Sequence, residues 1–391
     1  MGIVKRISKN LKYSPRRKLN LDATSFGPTL KLVVALFLLV AFVLLVVFGL
    51  VPFIKAKLTS GAPLFGGTTP ASQSANVTAA PFNPILTNEV KTVQYGEGYG
   101  LPTAVVDPSV FDDEILFATG SSESACNRLV RLNPATGAFV NIDIKLVNDT
   151  IRYPLENETS ILYADCKTAG GGNIMKMDKA TGDVTVLSEF AMEAPRLSLE
   201  APYAIWTERT DETTAKLEVC DIASGEQLTL AVFTNSPYSQ SDPSIKSGQV
   251  IYADEDTAKP GNSLIRTILL ADSSRWDFTA GSFVHDPKSA GDRWAYLSGN
   301  HDGDSDLYVS IGGAAATRVA RGVVDFDITP SCVVFSRDET VYAYVFSDNK
   351  TYVLSETGTN AQFVMAGGDY AIWRDMTDPA LPLWKYIKVV G

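Results

Sequence analysis

The sequence predicts an all-β, seven-bladed β-propeller preceded by a single N-terminal transmembrane helix and a flexible linker. Three observations predict it. One uncharged apolar run, Leu32–Val51, lies near the N-terminus; a low-complexity stretch follows it; and the remaining chain repeats one strand-and-hairpin pattern seven times at about 43 residues. The boundaries read as a cytoplasmic basic arm (1–31), a transmembrane signal anchor (32–54), a linker (55–86) and a propeller (87–391).

Charge supports this division. The first 57 residues carry ten Lys or Arg and a single acid, Asp22, about +9, so the remainder carries about −19 of the net −10. The run Leu32–Val51 has no polar face, and about 20 apolar residues span a bilayer core as a helix. Eight cations precede it and only Lys55 and Lys57 follow closely. The positive-inside bias therefore predicts a single-pass protein of the cell membrane, with a cytoplasmic N-terminus and an extracytoplasmic body. No Ala-x-Ala follows the run, so an uncleaved anchor is expected rather than a signal peptide. From Thr59 to Pro84, Gly, Ser, Thr, Ala and Pro dominate without periodicity, as in a tether.

The body is organised by markers. Phe117, Tyr163, Trp206, Tyr252, Tyr296, Phe335 and Trp373 each sit in a short β-branched and aromatic run. A second alternating run follows, ending in a turn: Asn133–Gly137, Asp178–Gly182 and Asp221–Gly225. The Asx side chain binds turn backbone, and Gly takes the positive φ that a bulged hairpin needs. The last repeat lacks an outer strand, while Glu89–Tyr95 alternates like a strand and has no partner. Closure of the ring by that N-terminal segment is expected, since it removes an open edge. Two stacked β-sandwiches are the alternative all-β arrangement.

Within the fifth repeat, Trp294–Ser310 resembles the WD40-like repeat of TolB-type propellers, and the Ala-Thr-Gly hairpins are similar to those of pyrroloquinoline-quinone-type propellers. The resemblance implies a rigid disc that binds partners on its faces or in its channel. An anchor stands where TolB has an N-terminal α/β domain, so TolB's partners are not implied.

Composition excludes several classes. A pI near 4.9 argues against nucleic-acid partners. His285 and His301 are the only histidines, and the four cysteines form no CxxC pair, which removes zinc ribbons and thioredoxin-type motifs. No Gly-x-Ser-x-Gly elbow and no Walker loop occur. Three Asp-Pro pairs, at Asp107, Asp242 and Asp286, precede their marker aromatics where an innermost strand begins. They read as loop caps, or as channel-mouth carboxylates, and Asp107–Val110 resembles the start of propeller glycosidases. Asp302, Asp304 and Asp306 alternate as hard-cation ligands do, and are the weak metal candidate beside a solvated turn. Cys126 and Cys166, in equivalent loops of adjacent repeats, are expected to form a disulfide; Cys220 and Cys332 are expected to be buried thiols.

The functional expectation is a binding or scaffold module for a protein or cell-envelope ligand on a propeller face, with no cofactor and no catalysis of its own. The alternative is a glycosidase or lyase acting on extracellular polysaccharide through Asp107, Asp242 and Asp286.

Overall fold

The computed structural model describes residues 89–95, 102–299 and 305–389. The basic arm, the Leu32–Val51 run, the linker, and Asp302 and Asp304 lie outside the described residues. Within them every regular element is a strand, and no helix is long and apolar enough to cross a membrane.

The short strand β1 (Lys91–Thr92) comes first. Four antiparallel sheets follow in chain order. The first comprises β2 (Ala104–Phe111), β3 (Glu114–Gly120), β4 (Cys126–Asn133) and β5 (Ala138–Ile142). The second comprises β6 (Thr150–Glu156), β7 (Ser160–Cys166), β8 (Gly172–Asp178) and β9 (Val184–Phe190). In the third are β10 (Leu197–Glu200), β11 (Tyr203–Arg209), β12 (Thr214–Asp221) and β13 (Gln227–Thr234); in the fourth, β14 (Ser244–Lys246), β15 (Gln249–Glu255), β16 (Ser263–Leu269) and β17 (Arg275–Gly281).

A seven-stranded sheet comes next: β18 (Val284–Ala290), β19 (Arg293–Gly299), β20 (Ser305–Ile311), β21 (Thr317–Ile328), β22 (Cys332–Arg337), β23 (Thr340–Val345) and β24 (Lys350–Val353). The last sheet holds β25 (Ala361–Gly367), β26 (Tyr370–Asp375), β27 (Leu383–Lys388) and β1. This is an all-β propeller.

Burial follows position. The second strand of each sheet is packed on both faces, so β3 and β7 read as near-continuous buried runs, whereas outer strands such as β9 are exposed or half-buried up to Phe190. Six marker aromatics lie in these second strands and Phe335 in β22 of the seven-stranded sheet; all are at most 4% exposed. Hydrophobic clusters join each sheet to the next. Phe117, Ile372 and Trp384 belong to the one that joins the first sheet to the last. Truncating Trp206 or Trp373, both fully buried, to Ala costs about 3–5 kcal/mol.

The expected closure is present. Lys91 and Thr92 pair antiparallel with Tyr386 and Lys385, and the Val93 amide donates to Trp384 O at 2.8 Å. Val93 is 1% exposed, so the N-terminal segment is fastened by an apolar side chain as well as by backbone bonds. The Asx–Gly turns also form as read. Gly137, Gly182 and Gly225 lie at φ 73–75°, each amide bonded to the carbonyl four residues back, while Asp178 and Asp221 accept backbone N–H groups at 2.8–3.0 Å.

Two features differ from expectation. First, β21 runs without a loop from pairing with β20 into pairing with β22, bending at Gly322 (φ 63°); Val323 is the residue common to both ladders. Second, Cys126 and Cys166 are not bridged. Both are buried free thiols. The Cys126 Sγ is aimed at Ser122 O (3.3 Å) and the Cys166 Sγ at Ala164 O (3.8 Å). Thr150 intervenes: its hydroxyl bonds the backbone of Cys126, and its backbone pairs with Cys166. Burial pushes the two thiols up to about 12 and about 11. Cys220 and Cys332 are buried thiols, as expected.

Candidate functional site

The first strands of the repeats converge on a central cavity of about 450 Å³, lined by residues of β2, β6, β10, β14, β18, β21 and β25. Strand register identifies which residues are equivalent. Ser109 pairs with Leu116, Leu155 with Leu162, Ser198 with Ile205, Ser244 with Ile251, Lys288 with Ala295, Asp327 with Val334, and Met365 with Ile372. In every case the partner immediately precedes a marker aromatic. Two residues earlier, and ten before the marker, stand Asp107, Tyr153, Arg196, Asp242, Asp286, Asp325 and Phe363.

The structure thus brings Asp107, Asp242 and Asp286 to one level, and adds a fourth aspartate. Four of these residues take positive φ at a bulge in the first strand: Asp107 (50°), Tyr153 (49°), Asp286 (48°) and Phe363 (53°). Aspartate tolerates that conformation, whereas for Tyr and Phe it costs about 1–3 kcal/mol.

Several side chains at these two levels hold the neighbouring strand, accepting backbone N–H groups of the next repeat's first strand. Asp107 Oδ2 accepts from Tyr153 N (3.2 Å), Asp325 Oδ2 from Val364 N (2.8 Å) and Asp327 Oδ2 from Ala366 N (2.9 Å). Ser198 and Ser244 do the same for Ile245 and Ser289, both at 3.1 Å. Asp107 also takes Arg152 in a forked pair, Nε at 2.5 Å and Nη2 at 3.3 Å.

Charge is compensated on one arc. Lys288 donates to Phe326 O (2.6 Å) and lies 3.3 Å from Asp327 Oδ1. Burial opposes its charge, but Asp327, Asp325 and Asp286 outweigh burial and raise it. Asp286 faces His285 Nδ1 at 2.8 Å, and its amide donates to Ser241 Oγ at 2.9 Å. Burial alone would raise its carboxyl; His285, Lys288 and Ser241 together hold it below the ordinary carboxylate value.

Asp242 differs. Its closest partner is the Arg196 Nε at 3.8 Å, beyond hydrogen-bond distance. The side chain is half exposed to the cavity yet enclosed by protein. That enclosure pushes its carboxyl up to about 6, opposed by Arg196 and reinforced by Asp286. Arg196 lies with its guanidinium carbon 5.0 Å over the Tyr153 ring, and Arg152 approaches the same ring at 4.9 Å. Tyr153 and Arg196 line the central cavity and also two side pockets of about 240 Å³ each.

Asp306, from the metal candidate, is tied to Arg318 at 2.8 Å. Among the described residues no cluster of three or more His, Cys, Asp or Glu could hold an ion. Tyr153, Arg196, Asp325 and Phe363 were not distinguished by the Asp-Pro pattern. The ten-residue offset from the marker aromatics would have found them.

The chain's fold is one seen in solved structures. It is similar to the β-propeller domain of the Trilobed protease from Pyrococcus furiosus (12% identity, 73% of this chain and 97% of that one, TM-score 0.54). Oligogalacturonate lyase from Vibrio parahaemolyticus matches at 12% identity over 77% and 97% (TM-score 0.51), and Pyrococcus horikoshii acylaminoacyl peptidase at 13% over 72% and 51% (TM-score 0.53). The chain spans 66% of TolB from Acinetobacter baumannii (13% identity, 75% of this chain, TM-score 0.46) and 51% of a prolyl endopeptidase (10% identity, 75% of this chain, TM-score 0.53). No family model matches the chain, and no curated protein matches it. These likenesses show the fold. They also correct one expectation: peptidases and a lyase share this propeller, so enzymes and non-enzymes alike use it, and the reading of a chain with no catalysis of its own does not stand.

Proposed function

We propose that the protein is a single-pass membrane protein, N-terminus cytoplasmic, whose seven-bladed propeller lies outside the membrane and binds a protein or cell-envelope ligand at the cavity mouth around Tyr153 and Arg196. The anchor and its orientation rest on the Leu32–Val51 run and the flanking charges. Seven blades are supported by seven markers with seven equivalent first-strand residues; the seven-stranded sheet then counts as two blades sharing β21.

One observation carries the binding reading. At a level where other side chains hold the next strand, Arg196 makes no hydrogen bond within 3.5 Å of a carboxylate and instead borders three cavities. The test is thermal-shift screening of the full-length protein in detergent against glycan and peptide panels. A stabilising ligand whose effect is lost in Arg196→Gln and Tyr153→Ala, and kept in Asp306→Asn, supports the reading. Ligands indifferent to both substitutions contradict it.

A second reading is favoured by Asp242. A carboxyl pushed up to about 6 inside a cavity suits proton transfer, as an enzyme acting on extracellular polysaccharide would require. Glycan turnover abolished by Asp242→Asn would establish it.

A further inference from the structure

We propose that the side pocket between Arg152, Arg196 and Arg374 is a site for a single carboxylate carried on a six-membered ring. The inference rests on the binding reading above and names the ligand chemistry for one part of that site.

Charge comes first. The charged side chains lining this pocket are Arg152, Arg196, Arg374, Asp107 and Glu123, three guanidiniums against two carboxylates. Asp107 occupies the Nε and Nη2 edge of Arg152. Glu123 occupies Nη2 of Arg374. Arg196 has no such partner; its nearest carboxylate, Asp242 at 3.8 Å, faces it from the central cavity and from the other side pocket. Within the lining of this pocket one guanidinium is therefore unmatched by a carboxylate: Arg196, stacked on Tyr153 and hydrogen-bonded to its side chain, with Asp242 only at 3.8 Å outside the lining. A monoanion balances it, while a dianion would leave an excess negative charge next to Asp107 and Glu123. Guanidinium presents a planar fork, which a carboxylate matches with two parallel bonds.

Shape supplies the ring. The pocket holds about 240 Å³, small for a ligand site, and suits one ring rather than a chain. Its apolar side is formed by Val106, Phe363 and Met365. Phe363 is 42% exposed and held at φ 53°, a costly conformation for an aromatic residue that keeps its ring at the mouth instead of in the core. An exposed aromatic beside an underused guanidinium offers a stacking face and a charge anchor to the same small molecule.

The test is calorimetric titration of the full-length protein with four probes: benzoate, glucuronate, acetate and benzyl alcohol. Benzoate and glucuronate distinguish an aromatic acid from a sugar acid. The proposal expects one of them to bind at least tenfold more tightly than acetate, which lacks the ring, and than benzyl alcohol, which lacks the charge. Arg196→Gln should weaken that binding at least tenfold. Arg196→Lys, which keeps the charge but not the fork, should weaken it several-fold, and Phe363→Ala should bring the ringed acid down to the level of acetate. Unchanged melting of each variant separates these losses from misfolding. Failure of both ringed acids to bind, or equal binding of acetate, overturns the proposal. In that event a neutral panel ligand that still depends on Arg196 leaves the broader binding reading standing, and its absence removes both.

Discussion

The mouth of the cavity has two arcs built from equivalent positions, and they behave in opposite ways. On the arc formed by β18, β21 and β25, Lys288 pairs with Asp327, Asp286 with His285, and Asp325 and Asp327 accept the next strand's amides. On the arc formed by β6, β10 and β14, Arg196 stacks on Tyr153 and hydrogen-bonds its side chain, and meets Asp242 only at 3.8 Å. The comparison teaches that position in a repeat does not determine a side chain's work. What matters is whether a backbone N–H or an opposite charge lies within reach. The first arc is bound up in holding strands together. The second retains donors and an acceptor for something else.

The sharpest way to break the comparison is to remove the cation of the first arc. Lys288→Ala leaves three carboxylates without their common partner and is expected to cost about 3 kcal/mol, read as a fall in denaturant midpoint. Arg196→Ala, on the second arc, should shift that midpoint far less. Equal losses would erase the distinction.

The two aspartates Asp242 and Asp286 sharpen it through pH. Asp286 is held below the ordinary carboxylate value, so its ionised form stabilises the fold. That contribution is present above the unfolded pKa of about 3.9 and is lost as pH falls through the lower folded value. Asp286→Asn should therefore lower Tm at pH 7, with the deficit closing in acid. Asp242, raised to about 6, has the opposite sign: ionising it costs stability, progressively between about pH 4 and 6. Asp242→Asn should raise Tm above pH 6 and match the parent near pH 4. Melting curves from pH 2 to 8 check both.

A smaller effect concerns the thiols. With Cys126 and Cys166 buried and raised to about 12 and 11, neither should react with iodoacetamide at pH 8 in the native protein, and both should be alkylated after unfolding. Recovery of a Cys126–Cys166 disulfide peptide would contradict the structure here.

Much of the fold was legible. The marker aromatics, the Asx–Gly turns and the unpaired Glu89–Tyr95 segment each carry a local physical signal, and the structure uses them as read. The continuity of β21 was not legible, because one bend at Gly322 replaces a loop that the other repeats mark with polar residues; the shortened step from Tyr296 to Phe335 is its only trace. The site was half legible. Asp-Pro draws the eye to three aspartates, but Tyr153, though followed by Pro154, is no aspartate, Arg196 and Phe363 are followed by no proline, and Asp325 is followed by Phe326. Their equivalence appears only when register is counted from the markers. The disulfide failed because equivalent loops say which rim two cysteines share, not which side chain stands between them; Thr150 does.

The central claim, that the Tyr153–Arg196–Asp242 arc is the ligand side of the mouth, is tested most directly by hydrogen exchange on the full-length protein with and without a stabilising ligand from the screen. The account predicts protection gained in peptides covering Tyr153–Leu155, Arg196–Leu199 and Asp242–Ile245, with Lys288–Ala290 and Asp325–Ile328 unchanged. Protection confined to the Lys288 and Asp325 peptides, or to the outer strands β5, β9 and β13, would contradict it.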